Sequence, residues 1–275
     1  MKLRADLHIH TNYSDGLLTP EEVVTVAKKN GVQLIAITDH DCTFAYKEVA
    51  NADGIKVVCG TEISAYLNGV KIHILGYKFN PDSPVFSQFF KELYEGSLKR
   101  TEDILFKLNK AGVKLTIDEV LKYRTHSNTH IHSSYIARAA AEKGWCGGNS
   151  HRFYAEYLAT GKCGHSEIGR ATPQKAVEVI NASGGFCSLA HPARIEMGEG
   201  EILSLVKYLK DAGLGGIEAV YSTHTVIQTA YYKELAKTLN LLVTGGSDTH
   251  TLGGSREIGK PEFFVSGVLA EKLGI

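Results

Sequence analysis

Residues 6–11, Asp6-Leu7-His8-Ile9-His10-Thr11, alternate in the way a strand with one apolar face does. Leu3, Ala5, Leu7 and Ile9 share one face, and Asp6, His8 and His10 share the other. A strand rises about 3.3 Å per residue, so imidazoles at i and i+2 start roughly 6 to 7 Å apart and can converge on one metal ion. Taken alone the pair is a weak motif, because ordinary surface strands carry it too. It gains weight from the same residue types recurring along the chain.

After that strand, Thr19-Pro20-Glu21-Glu22 has the form of a capping box with proline at the first helical position, and Gly31 closes the helix. Residues 33–38 (QLIAIT) suit a strand buried on both faces, delivering Thr38-Asp39-His40-Asp41 at its end. Helix formers at 45–50 lead to an apolar run at 55–59 that stops at Gly60-Thr61-Glu62, and residues 70–77 (VKIHILGY) alternate around His73. From Pro81 to about Arg170 helical periodicity takes over, with a long helix or two over 83–111 and shorter ones over 117–123, 133–143 and 153–158. Strands at 186–190, 216–221 and 241–245 then lead into His191, His224 and Gly246-Ser247-Asp248-Thr249-His250. The domain reading is a barrel over residues 1–80 and 171–275, with 81–170 a helical insertion that acts as a substrate lid. Seven strands with ligand types at their C-terminal ends predict a closed parallel α/β barrel. The rival open sheet gathers ligands at one switch point instead.

The 275 residues suffice for one such barrel. Lys plus Arg is 30 and Asp plus Glu is 30, so there is no bulk attraction to nucleic acid or to an anionic membrane, and any polyanion must be held locally. Five scattered cysteines without a CxxC point to reduced thiols. With neither a basic-then-apolar leader nor an apolar run of spanning length, the expectation is a cytoplasmic protein without a membrane span. No stable protein partner is implied.

His8, His10, Asp15, His40, Glu62, His73, His191, Asp248 and His250 would supply six imidazoles and three carboxylates. A catalytic zinc-like site takes three protein ligands, so this set implies two or three divalent ions. A carboxylate such as Glu62 can bridge neighbouring ions, and closely spaced metals suit displacement at phosphorus. Mixed nitrogen and oxygen donors suit manganese, zinc or iron better than magnesium or calcium.

The pieces DLHIHT (6–11), SDG (14–16), TDHD (38–41), GTE (60–62), HIL (73–75), AHP (190–192) and GSDTH (246–250) follow in order. In these the chain resembles the PHP (polymerase and histidinol phosphatase) superfamily of metal-dependent phosphoesterases, over roughly residues 1–80 and 171–275. The resemblance implies a distorted (β/α)7 TIM-like barrel with a trinuclear centre, manganese being the first choice of metal. His8, His10, Glu62 and Asp248 would hold one ion, Glu62, His73 and His191 the second, and Asp15, His40 and His250 the third. The nearest branch removes the 3'-phosphate from nucleoside 3',5'-bisphosphates and trims short RNA from its 5' end. A small phosphorylated nucleotide, or short RNA, is therefore the expected substrate. Histidinol phosphate hydrolysis and a non-catalytic metal-stabilised module are the other readings. Two departures stand out: Cys42 follows Asp41 where the branch commonly has threonine, and Tyr135-Ile136-Ala137-Arg138 puts tyrosine where the insertion often has histidine.

The expected reaction is attack of metal-activated water on a phosphate ester, with Arg194 offsetting the developing charge. Arg194, just past His191, is of the type that clamps phosphate bidentately, and His224 is placed for a second phosphate contact. His132, Tyr135 and Arg138 are the expected substrate contacts from the insertion. Asp39 and Asp41 are expected to orient histidines, and Glu218 to be a carboxylate paired inside the barrel. His126, His151 and His165 read as loop residues.

Overall fold

Strand β1 (Arg4–Ile9) is buried at every residue after Arg4 in the computed structural model, which describes residues 2–127, 129–253 and 256–275. Helix α1 (Pro20–Lys29) starts at the expected capping box: the Glu22 N–H donates to Thr19 Oγ1 (3.2 Å) and the Thr19 N–H to Glu22 Oε2 (2.8 Å). Strand β2 (Leu34–Ile37), helix α2 (Phe44–Val49) and strand β3 (Lys56–Leu67) follow. β2 lies parallel to β1 and β3, and all its residues are buried, as a strand covered on both faces requires.

Strand β4 (Val70–Tyr77) departs from the all-parallel expectation. It runs antiparallel to β3 and to the strand that follows it in the sheet. The cause is local: β3 does not stop at Glu62 but continues to Leu67, and Asn68-Gly69, both at positive φ (51° and 81°), turn the chain straight back. A two-residue hairpin turn favours asparagine and glycine because both central residues take left-handed conformations. Glu62 consequently sits within a strand rather than at its end, while His73 lies inside β4 as the alternation of residues 70–77 indicates.

Residues 84–158 carry helices α3 (Pro84–Lys110), α4 (Ile117–Leu121), α5 (Ser133–Glu142) and α6 (Ser150–Phe153), the last continuing as a π-helical turn to Leu158. Leu108, Val120, Ile136, Ala140 and Phe153 pack there into a core of their own. The chain returns at Ala171, whose carbonyl accepts from the Tyr66 N–H of β3. Helix α7 (Pro173–Ala182), strand β5 (Phe186–Leu189), α8 (Glu199–Asp211), β6 (Gly216–Tyr221), α9 (Val226–Thr238) and β7 (Leu242–Gly246) complete the alternation, with β5, β6 and β7 parallel. Beyond the strand–helix alternation visible in the sequence lie β8 (Phe263–Phe264), antiparallel to the start of β1, and α10 (Gly267–Leu273).

The sheet order is β7-β6-β5-β4-β3-β2-β1-β8, and its longer strands come round into a nearly closed barrel. The Asp248 N–H donates to the His8 carbonyl (2.7 Å) and the His10 N–H to the Thr249 carbonyl (3.0 Å). This approach of β7 to β1 needs Gly246, because a Cβ there would stand 2.5 Å from the Cβ and N of His8. The ends of β1, β2 and β7 therefore share one rim, and the β3–β4 hairpin runs past it. No helix among the described residues is long and apolar enough to cross a membrane.

Candidate metal centre

Glu62, buried in β3, is the point on which the strand ends converge. His8 and His10, projecting from one face of β1, bring their Nε2 atoms to 3.2 and 3.1 Å from Glu62 Oε2. The same nitrogens lie 3.5 and 3.2 Å from Asp248 Oδ1, just after β7. His40 Nδ1, after β2, is 3.2 Å from Glu62 Oε2; His73 Nδ1 and His191 Nε2 are 2.7 and 2.9 Å from Oε1. His250 Nε2 stands 3.2 Å from Asp15 Oδ1. Among the described residues, three sets have donor atoms all within 4.8 Å of one another: His8, His10, Glu62 and Asp248; His10, Asp15, His40 and His250; and His40, Glu62 and His73. His10 and His40 thus each belong to two sets, and His191 reaches the centre through Glu62.

Buried carboxylates outside these sets brace the strands and loops that carry the donors. Glu218, on β6, has Oε1 2.9 Å from His8 Nδ1 and accepts the His191 N–H at Oε2 (2.7 Å). Asp39 accepts from the Thr11 N–H (2.7 Å), Thr11 Oγ1 (2.6 Å) and Ser14 Oγ (2.5 Å), fixing the loop that carries Asp15. Asp41 accepts the Ser64 N–H (3.0 Å). Asp41, His191 and Asp248 all have positive φ (49°, 25° and 55°), a conformation costing about 1–3 kcal/mol each that surrounding contacts must hold.

Burial by itself disfavours charge on Glu62, yet the rings around it, those of His73, His8 and His40, hold it well below the usual carboxylate range. Asp248 and Asp15 are depressed in the same way against burial, by His8 and His10 and by His250 and His40 respectively. Burial also opposes a proton on His10, but Asp248 and Glu62 outweigh it and push the ring up to about 10. At His73 burial prevails over Glu62 and pulls the ring down to about 3. Among the described residues, His8 Nε2, His10 Nε2, His73 Nε2, His191 Nδ1 and Asp15 Oδ1 are buried without a hydrogen-bond partner. Ionised carboxylates beside buried, orphaned ring nitrogens are a donor set that fits divalent cations.

A cavity of about 540 Å³ opens over the cluster. Arg194 and Arg256 line it beside Asp248, Lys71 lines it on the hairpin, and Ser134, Arg138, His151 and Tyr154 form the wall from residues 84–158. Several expected contacts lie elsewhere. Tyr135 is buried and donates its hydroxyl to the Ser14 carbonyl, so it packs α5 against the Asp15 loop rather than facing the cavity. His132 is also buried, its ring 5.7 Å from that of His40, and is not part of the lining. His224 has Nδ1 3.1 Å from the Ala219 carbonyl and sits between Tyr221 and Tyr232, behind the cavity wall. Arg138 does line the cavity, donating from Nη2 to the Asp15 carbonyl (3.0 Å). His151, read as a loop residue, is on α6 in the lining. Lys71 had a readable signal, being two residues before His73 on the same strand face. Arg256 had none, lying beyond the last motif.

Residues 6–212 match the model of the PHP domain family. The chain is 32% identical over 261 residues to a 3',5'-nucleoside bisphosphate phosphatase of Chromobacterium violaceum, covering 94% of this chain and 91% of that protein. It is 30% identical to a phosphoribosyl 1,2-cyclic phosphate 1,2-diphosphodiesterase of Eggerthella lenta, over 89% of this chain and 93% of the relative. Among solved structures, an amidohydrolase from Chromobacterium violaceum with bound sulfate superposes with a TM-score of 0.85 at 30% identity, covering 96% of this chain and 92% of that one. With the family match spanning most of the chain and the barrel shared with that neighbour, the chain belongs to the PHP domain family of phosphoester hydrolases.

Proposed function

We propose that the chain hydrolyses a phosphomonoester on a small nucleotide, the 3'-phosphate of a nucleoside 3',5'-bisphosphate, with two or three divalent ions at the barrel rim. The observation that carries this reading is the meeting of three overlapping donor sets on the floor of a cavity whose walls hold Arg194, Arg138 and Lys71. In it, His8, His10, Glu62 and Asp248 hold one ion, Glu62, His73 and His191 a second, and Asp15, His40 and His250 a third. Manganese suits these donors, with zinc or iron as alternatives. Such ions, when bound, activate water and neutralise charge on the oxygens of phosphorus.

The chain's own residues do the remaining work. Glu218 keeps His8 Nε2 turned to the centre by engaging Nδ1. Arg194 donates from the cavity wall to a phosphate oxygen. Lys71 is one strand repeat beyond His73, about 6.6 Å further out, a spacing that suits a second anionic group across a single pentose. The segment 81–170 narrows the mouth and adds contacts far from the reacting phosphorus, which favours a nucleotide over a ligand as small as histidinol phosphate. The free cysteines suit a reducing cytoplasm.

Steady-state assays of metal-replete protein against four substrates test the reading: a nucleoside 3',5'-bisphosphate, a short 5'-phosphorylated RNA, a ribose 1,2-cyclic phosphate and histidinol phosphate. The bisphosphate should give a kcat/KM about tenfold or more above the others, the effect of one or two charged contacts to the remote phosphate. Preference for histidinol phosphate would sink the nucleotide assignment, and preference for the cyclic ester would move it to diester cleavage.

A further inference from the structure

The two oxygens of Asp248 face different partners. Oδ1 looks toward His10 Nε2 (3.2 Å) and His8 Nε2 (3.5 Å). Oδ2 accepts from Tyr221 Oη (2.6 Å), Arg256 Nη1 (2.8 Å) and Arg194 Nη1 (3.1 Å). Two guanidiniums therefore converge on a single carboxylate oxygen whose charge is already shared with two imidazoles. Like charges brought this close repel, and one carboxylate does not balance them; an anion of higher charge would.

We propose that Arg256 is a catalytic residue: with Arg194 it forms a guanidinium pair that grips the phosphoryl group undergoing hydrolysis. The inference rests on the phosphoester reading above, but not on what the phosphate is attached to. Among the described residues, Nη1 is the only atom of either guanidinium with a hydrogen bond to protein, which leaves Nη2 and Nε of each for a ligand in the cavity both line. Guanidinium forks match phosphate oxygens in pairs, and an arginine keeps its charge at any working pH. The two residues also come from separate strand ends. Arg194 belongs to the turn after β5, and Arg256 to the segment after β7, where its carbonyl accepts from Thr249 Oγ1 (2.7 Å). The barrel, not one loop, sets their spacing, so the pair is arranged before a ligand arrives. As charge gathers on the oxygens that stay with phosphorus, donors already aimed at them strengthen without rearranging.

The competing role for Arg256 is to orient Asp248 and nothing more. Arg256→Gln and Arg256→Lys separate the two, measured in metal-replete protein by ion content, by kcat/KM on any phosphoester the wild type turns over, and by calorimetric titration with inorganic phosphate. Ion content should stay at the wild-type value. Phosphate should bind Arg256→Gln about tenfold or more weakly, and kcat/KM should fall about 10²-fold, the scale of losing one preorganised donor. Arg256→Lys should recover part of both, since it restores charge without the fork. Combined with Arg194→Gln, the losses should be less than multiplicative, because both donors act on one phosphate. Unchanged phosphate affinity, or a kinetic loss that follows a loss of ions, would overturn the proposal and leave Arg256 as a support for Asp248. If the wild type rejects every nucleotide, the substrate assignment falls, while the phosphate titration still decides the role of Arg256.

Discussion

Glu218 touches the centre only through its neighbours, and for that reason its substitution isolates what orientation contributes. It is wholly buried, engaging His8 at one oxygen and the His191 N–H at the other. Glu218→Gln keeps the volume and an acceptor for the His191 N–H but removes the charge that fixes the His8 tautomer. Metal affinity should fall about 10- to 100-fold, read by competition with a chelator; unchanged affinity would show that His8 needs no such partner. At this scale much was legible, since the types and spacings of His8, His10, His40, His73 and His191 are visible in the chain. Tyr135 shows the limit. A residue type at a familiar position suggests a substrate contact, but its hydroxyl is spent on the Ser14 carbonyl, a partner more than a hundred positions away that no local pattern names.

Capping and periodicity make the elements readable, and one hairpin turn sets the topology. The Thr19, Thr172 and Thr225 caps each accept an N–H from the first turn of their helix, and the helix after Thr19 starts at the capping box visible in the sequence. Asn68-Gly69 is as local a signal as any of these, and the hairpin it forms makes β4 antiparallel where strand–helix alternation alone implies a parallel strand. The helices over 84–158 carry a separate expectation. Leu108 is fully buried in their own core, apart from the clusters under the barrel. Leu108→Ala should cost about 2–5 kcal/mol, the range for emptying a buried leucine site. Because that core belongs to the segment, hydrogen exchange should quicken across 84–158 while ion content holds. Loss of ions together with that exchange would show the segment and barrel to be one cooperative unit.

For the molecule as a whole, ions held at this centre would tie folding to metal. Its donors come from strands at both ends of the chain, so ions bound there hold the barrel closed and favour the folded state by mass action. At a thousand times the dissociation constant this is about 4 kcal/mol, and in a domain of this size roughly 2–4 °C of Tm per kcal/mol. Removing the ions with a chelator should therefore lower Tm by about 8 to 16 °C, and manganese should restore it; a Tm indifferent to chelation would argue that the donors do not share ions. The sequence by itself determined which side chains are able to bind metal, that most of them follow strands, and that those strands alternate with helices, because periodicity, caps and turns are settled within a few neighbouring residues. Only the tertiary structure decided which donors lie within an ion's reach of one another, that Glu62 stands at their centre, and that Arg194 and Arg256 meet on Asp248. Those are distances between strand ends, set by barrel closure where Gly246 lets β7 come against β1, and no stretch of chain contains them.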